Sequence, residues 1–402
     1  MSFSGIPTHW EIKKMTDVVK WGSGGTPKTT EKTYYENGNI PWLIIGDLND
    51  GIVTSSASCI TELGLRNSSA KMIPTGTLLV AMYGSIGKLG ITGIECCTNQ
   101  AIAYAKELYG VTTKYMFYFM AMIKPDLIAM GKGGTQKNIS QTVLNSLDVP
   151  VPSLEEQECI VTRIEELFSQ LDKGVETLQK TKQQLAVYRQ AVLKEAFDRI
   201  ISDSKMQAIK SVCNDIKVGI VIKPAQYYTD ETNGIKAFRS ANVREFRIND
   251  TDWVYLTKEG HRSNLRSEIH TGDVLIVRSG YPGTACVVTE EYNNCNAVDI
   301  LIAVPNTDIV TSEYLCAFTN SPYGRKLVAE KKRGVAQAHL NVGGYSKMEI
   351  PVPEISVQKQ VVRSIEQRLS VYNGISKTID TALRQAEAMR QSILKQAFEG
   401  KL

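Results

Sequence analysis

The stretch from Leu154 to Asp198 occurs twice, and this repetition restricts the folds open to the chain more than any other feature. A shift of 201 positions lays Pro150-Val151-Pro152 on Pro351-Val352-Pro353, Gln157 on Gln358, Ile164 on Ile365, Arg189-Gln190 on Arg390-Gln391 and Ala196-Phe197 on Ala397-Phe398. Apolar residues recur in a three-four alternation at Val161, Ile164, Phe168, Leu171, Val175, Leu178, Leu185 and Val192, interrupted by Lys182 and Arg189. The second copy keeps the rhythm through Val362, Ile365, Leu369, Tyr372, Ile379, Leu383, Ala386 and Ile393. That spacing is a coiled-coil seam. A helix of about 45 residues is roughly 65 to 70 Å long, more than a small domain can enclose. Each seam therefore needs a partner, and its own copy has the same period and length. Two long helices inside an all-α core are the competing reading, which the flanking segments disfavour.

Those flanks are turn-punctuated and β-rich. Gly22 to Pro27 is a loop, Ile40-Pro41-Trp42-Leu43-Ile44-Ile45 reads as a strand, and Thr77 to Met82 is a second apolar run ended by Gly84-Ser85-Ile86-Gly87. Lys114 to Met130 suits a helix, and a polar loop, Gly131 to Asn138, precedes a last strand at Val149-Pro150. Ser153 followed by Glu156 has the capping-box spacing at the start of the first long helix; the second copy has Glu354 and Val357 there. Residues 201–353 repeat this outline with different polar letters. Pro224 answers Pro27, Ala241-Asn242 answers Gly46-Asp47, Gly280 and Gly283 answer Gly84 and Gly87, and Gln337 answers Gln136. The expected fold class is α+β, with a pseudo-twofold internal repeat. It has two β-rich globular domains, 1–153 and 201–353, separated by two long antiparallel coiled-coil helices, 154–200 and 354–402. Pairing of that kind would hold the globules at opposite ends of a spacer.

Composition narrows the function classes. No window approaches 18 continuous apolar residues and no basic segment precedes an apolar run, so the expectation is a soluble cytoplasmic protein without membrane contact. The eight cysteines form no C-x-x-C pair and only four histidines are present, which disfavours a disulfide framework or a zinc site. The net charge of +4 is spread evenly, so any nucleic-acid footprint must be a local stripe.

Taken as an ordered set, the Pro-x-Pro pairs, Gln157 and Gln358, Leu193-Lys194-x-Ala196-Phe197 with Leu394-Lys395-x-Ala397-Phe398, and Gly24-Gly25-Thr26-Pro27 followed by Ile40-Pro41-Trp42 resemble the DNA-specificity subunit of type I restriction-modification enzymes over the whole chain. The resemblance implies two target-recognition domains, each reading one half of a bipartite sequence in double-stranded DNA, with the helices setting the unread gap. It implies as partners two methyltransferase subunits that modify adenine, and motor-nuclease subunits for cleavage. No cofactor is expected in this chain; S-adenosylmethionine, ATP and magnesium would sit on the partners. The unlike polar letters of the two globules predict unlike half-sites. One helical turn moves a reading head by about 5.4 Å, between one and two base-pair steps.

Candidate DNA-binding residues follow from side-chain chemistry. In the first globule Thr26, Lys28, Tyr34 and Tyr35 combine donors with aromatic faces, Ser85 and Lys88 lie at a strand-end turn, and Lys132, Thr135, Gln136, Lys137 and Asn138 concentrate cations and amides. In the second, Arg239, Asn242, Arg244 and Arg247 form an arginine-rich stretch, Arg278, Ser279 and Tyr281 occupy the equivalent turn, and Lys332, Arg333, Gln337 and His339 the equivalent loop. Amides pair with adenine and arginines with guanine, although arginine equally clamps phosphate. A solvated charge cluster suits the same letters. No catalytic or metal-binding residue is expected. Gly84 to Lys88 lacks the glycine and hydroxyl of a phosphate loop, Glu330-x-Lys332 lacks the acidic partner of a nuclease, and no Asn/Asp-Pro-Pro-aromatic methyltransferase motif occurs. His9, His261, His270 and His339 have no nucleophile context. Two other classes stay open: a coiled-coil scaffold with two protein-binding modules and no DNA role, and an enzyme with an unrecognised site.

Overall fold

A computed structural model describes residues 5–133, 137–331 and 339–402. Contacts divide the chain into two compact units, Met1–Leu178 with Thr381–Leu402, and Gln179–Asp380. Both long helices form, as Leu154–Asp203 and Ile355–Phe398. The division falls inside them instead of at the segment limits read from the sequence, because each unit combines a globule with part of both helices.

In the first unit the described strands build a sheet in the order Val19–Ser23, Ile102–Leu108, Leu78–Ala81, Leu89–Thr92, Gly51–Val53. All neighbours are antiparallel except the last pair. Leu78–Ala81 is buried along its whole length, as a continuous apolar run in a central strand requires. A smaller sheet orders Cys59–Ile60, Ile40–Leu43 and Cys97–Thr98. The helix Thr113–Met130 is capped by the Thr112 hydroxyl and sinks Met116, Phe119, Met120, Ile123 and Leu127 into the core.

The segment leading into the long helix explains the repeated letters. The strand Asp148–Val151 pairs with Glu11–Lys14, after which Gln157, fully buried, closes the turn. Its carbonyl accepts from the Thr112 amide at 2.9 Å, and its amide donates to Gly110 O at 2.9 Å and Pro152 O at 3.1 Å. Tyr115 donates to Pro150 O at 2.7 Å. The capping box forms only in half. Ser153 Oγ accepts from the Glu156 amide at 3.2 Å, but the Glu156 carboxylate turns instead to Trp10 Nε1 at 2.8 Å and His9 Nε2 at 3.1 Å.

The second unit repeats the plan. Its main sheet orders Cys213–Val218, Ile300–Pro305, Val274–Val277 and Ala285–Val287; its smaller one orders Tyr228–Thr229, Val254–Leu256, Ile235–Phe238 and Asn296–Ala297. A separate hairpin, Val243–Arg244 with Arg247–Ile248, lies beside Ala285–Val287, where the first unit has Gly51–Val53. Gln358 bonds to Thr311 N, Ile309 O and Pro353 O, each at 2.9 Å, and Tyr314 donates to Pro351 O at 2.9 Å.

The distal helix ends complete both cores. Phe398 packs on Tyr115 and Phe119 in the first unit, and Phe197 on Tyr314 and Phe318 in the second. Within each unit the helix segments run antiparallel. In the first, Asp172 meets Arg390 while Val161 and Ile164 share a core with Leu394 and Phe398. In the second, Lys182 meets Asp380 at 2.7 Å and Glu195 meets Arg368 at 2.9 Å. The seam residues Val161, Ile164, Val192, Ile365, Leu369, Ile379 and Ile393 are buried. Phe168, Leu171, Leu178, Leu185, Val362 and Leu383 are half-buried, because a single partner helix covers one side of a stripe. Among the described residues no helix is long and apolar enough to cross a membrane.

Candidate nucleic-acid interface

In an antiparallel sheet the end of one strand lies beside the start of its neighbour, so the loops there converge. In the first globule this brings together the loops after Ser23, after Ala81 and before Ile102. Gly25 N donates to Thr98 O at 2.8 Å, and Met82 N to Ala101 O at 2.8 Å. The Thr26 hydroxyl bonds the Gln100 side chain. The loop ending at Asn138 joins the same corner, since Gly84 N donates to Lys137 O at 3.1 Å and Ile139 N to Met82 O at 2.9 Å. Lys132, Lys137 and Asn138 are exposed, as are Tyr83 and Ser85. Neither lysine has a side-chain hydrogen bond or ion pair among the described residues.

The second globule builds the same corner from other letters. Asp299 N donates to Ile220 O at 3.1 Å, Leu340 N to Arg278 O at 3.0 Å, and Arg278 pairs with Asp299 at 3.0 Å. Ser279 Oγ and His339 Nδ1 are 2.6 Å apart. Tyr281 is 85% exposed at the turn, and Ile222 is 80% exposed on the neighbouring loop. Gly87 and Gly283 both have positive φ, and a Cβ at either would crowd the helix behind it, at Lys124 and Val328 respectively.

Geometry sorts the remaining candidates. Tyr35 is a structural clamp, its hydroxyl donating to Pro27 O at 2.5 Å and its ring edge-on to Trp42; burial raises its phenol above the ordinary value. Tyr34 is half-buried against the helix Glu62–Arg66, where Gly64 leaves room for it. Lys28 faces Glu31 at 3.6 Å, and Lys88 donates to the carbonyls of Ile45 and Gly46 at 3.3 and 3.5 Å. Asn242 corrects the expectation: it is fully buried, accepts from Arg239 N at 3.0 Å and donates to Asn249 O at 3.3 Å and Thr251 O at 2.8 Å. It holds a turn and cannot reach a base. Arg239 donates to Asp252 O at 2.6 Å, and Arg244 to Ser240 O and Val243 O. Arg247 is exposed, and its side chain has no hydrogen bond or ion pair among the described residues. Thr135, Gln136, Lys332, Arg333 and Gln337 lie outside the described residues.

Tyr83, Gln100 and Ile222 belong to the same corners and are not among the candidates read from the sequence. Tyr83 beside Gly84 and Ile222 near Pro224 carried a signal as aromatic or apolar letters at a turn; Gln100 carried none.

Residues 7–186 match the family model for the type I restriction modification DNA specificity domain. The Escherichia coli EcoBI specificity subunit is 26% identical over 67% of this chain and 61% of the relative, so that match spans less than two thirds of the relative's length. The EcoKI specificity subunit of Escherichia coli strain K12 is 22% identical over the whole chain and 91% of its own length. A solved structure concerned with complex assembly and conformational transition of the type I R-M system shares the fold, with a TM-score of 0.79 at 18% identity over 99% of both chains. The HsdS subunit from Thermoanaerobacter tengcongensis has a TM-score of 0.55 at 17% identity over 99% of this chain and 98% of its own. Domain match, full-length relatives and shared fold agree in likening this chain to the type I restriction-modification specificity subunits.

Proposed function

We infer that this chain selects the DNA sequence on which a type I restriction-modification complex acts, one globule reading each half of an asymmetric bipartite target. The observation that carries this is the repeated corner: two globules with one backbone plan present unlike side chains, Lys132, Lys137 and Asn138 in one, Arg278, Ser279, Tyr281 and His339 in the other. A constant frame with variable letters suits two different half-sites. Specificity subunits are non-catalytic. On this reading adenine modification and ATP-dependent cleavage come from two methyltransferase subunits and from motor-nuclease subunits, which bring S-adenosylmethionine, ATP and magnesium. The helix pair then sets the unread gap.

The test is to co-express the chain with its methyltransferase subunit and read the methylome. One bipartite motif with unlike halves is expected, together with DNA binding that weakens steeply with salt as phosphate contacts release counterions. Lys132→Ala with Lys137→Ala is expected to lower modification and the salt slope. An unmethylated genome together with salt-insensitive association would fit a scaffold instead.

A further inference from the structure

The hairpin Val243–Arg244 and Arg247–Ile248 carries two exposed arginines, and the two residues at its turn face inward. Glu245 Oε1 accepts from Arg325 Nη2 at 2.7 Å, while its Oε2 meets the guanidinium of Arg189, an ion contact more than a directed hydrogen bond. Arg325 is tied further to Pro282 O at 3.0 Å and Thr284 Oγ1 at 3.2 Å. Phe246 takes the left-handed conformation at φ 62°, donates its amide to Ala285 O at 3.0 Å, and sets its ring 6.0 Å from the Arg189 guanidinium; Tyr372 lies 5.8 Å away on another side. The side chains of Arg189, Glu245 and Arg325 are 22, 22 and 26% exposed. Burial lowers Arg325 from the ordinary guanidinium range and Glu245 opposes that shift.

The repeat shows what is special here. Lys124 stands 201 positions before Arg325, and Arg390 stands 201 after Arg189. In the first unit Asp50 pairs with Lys124 at 2.9 Å, so an acid leading into the outer strand is again tied to the helix behind it. Arg390, however, stays within the helix pair, on Asp172 and over the Phe168 ring at 4.8 Å. Only in the second unit, among the described residues, do these two arrangements fuse, through Glu245, into one link from globule to long helix. Arg189 is also where the apolar seam breaks.

We propose that Glu245, with Arg189, is a positioning pair for target reading: it fixes the Arg244 and Arg247 hairpin against the first long helix, so that the second half-site is read at a set place relative to the spacer. This rests on the DNA-reading role argued above. Without Glu245, Arg189 and Arg325 face each other as like charges, and the hairpin loses its tie while its arginines remain.

The experiment uses the full subunit assembled with its methyltransferase partner, acting on a plasmid library randomised in the second half-site and in gap length. Glu245→Gln and Arg189→Met are each expected to lower modification of the cognate site about 10-fold or more, as small misplacements do. Both are expected to broaden tolerance at the second half-site or the gap, with the first half-site unchanged. Arg189→Lys, which keeps the charge, is expected to restore part of the selectivity. Uniform loss with unchanged base preference, alongside lowered thermal stability, would overturn the proposal and leave a purely structural role. Arg189→Met, made on the long helix and not in the hairpin itself, keeps the test open should Glu245→Gln fail to fold. Arg244→Ala and Arg247→Ala separate the two inferences. If both leave modification unchanged the hairpin does not read DNA; if either reduces it while the Glu245 and Arg189 variants keep full selectivity, only the positioning role is lost.

Discussion

Asn242 and Arg247 share one arginine-rich segment, yet the fold uses them in opposite ways. Asn242 makes the turn bond that Asp47 makes in the first globule, where Asp47 Oδ2 accepts from Ile44 N at 2.8 Å. Removing a buried amide strands several backbone groups. Asn242→Ala is therefore expected to cost about 2 to 3 kcal/mol, seen in calorimetry as a fall of roughly 4 to 10 °C in the melting of its unit. Arg247→Ala is expected to change stability by less than about 0.5 kcal/mol and to weaken DNA binding of the assembled complex by about 1 to 3 kcal/mol if it contacts a base. The reverse pattern, a melted Arg247→Ala and an intact Asn242→Ala, would refute this assignment. The sequence could not separate them, because asparagine is both a base reader and a turn former, and only burial tells which. Tyr35 was opaque for the same reason: a tyrosine beside a loop reads as an aromatic face until its hydroxyl is seen on Pro27 O.

The long helices were legible because a three-four apolar rhythm has few other uses, and the strands Leu78–Ala81 and Ile40–Leu43 because turns bracket short apolar runs. What stayed hidden was long-range. Ser153 and Glu156 carry the capping-box letters, but Trp10 and His9, distant in sequence, take the carboxylate. The recurring Ala-Phe near each helix end marks the repeat in the sequence without showing what it packs on; in the fold Phe398 and Phe197 are fully buried and bind a long helix to a globule. Phe398→Ala is expected to cost about 3 to 5 kcal/mol. The loss should concentrate in the first unit, so hydrogen exchange would show lost amide protection in Thr113–Met130 and near-native protection in Ser312–Asn320. Equal loss in both would mean that the two cores do not hold their helix ends independently.

For the whole molecule, the spacer reading makes a geometric demand on DNA. Seven residues added to one helix alone would throw the seam out of register, so the insertion must be matched, one heptad after Leu178 and one after Asp380. Such a pair lengthens the helices by about 10 Å while a left-handed coiled coil keeps its seam facing inward. Ten ångströms is about three base-pair steps, over which the duplex turns by roughly 100°, given about 10.5 base pairs per turn. A lengthened subunit would thus meet its second half-site at the right distance but out of phase. We expect the methylome of such a variant to show both half-sites unchanged, a gap longer by about two to three base pairs, and slower modification, since twisting the unread DNA or the globules costs free energy. Unchanged gap length with altered half-sites would show that the helices do not measure the distance, and that the globules sense it through their own contacts.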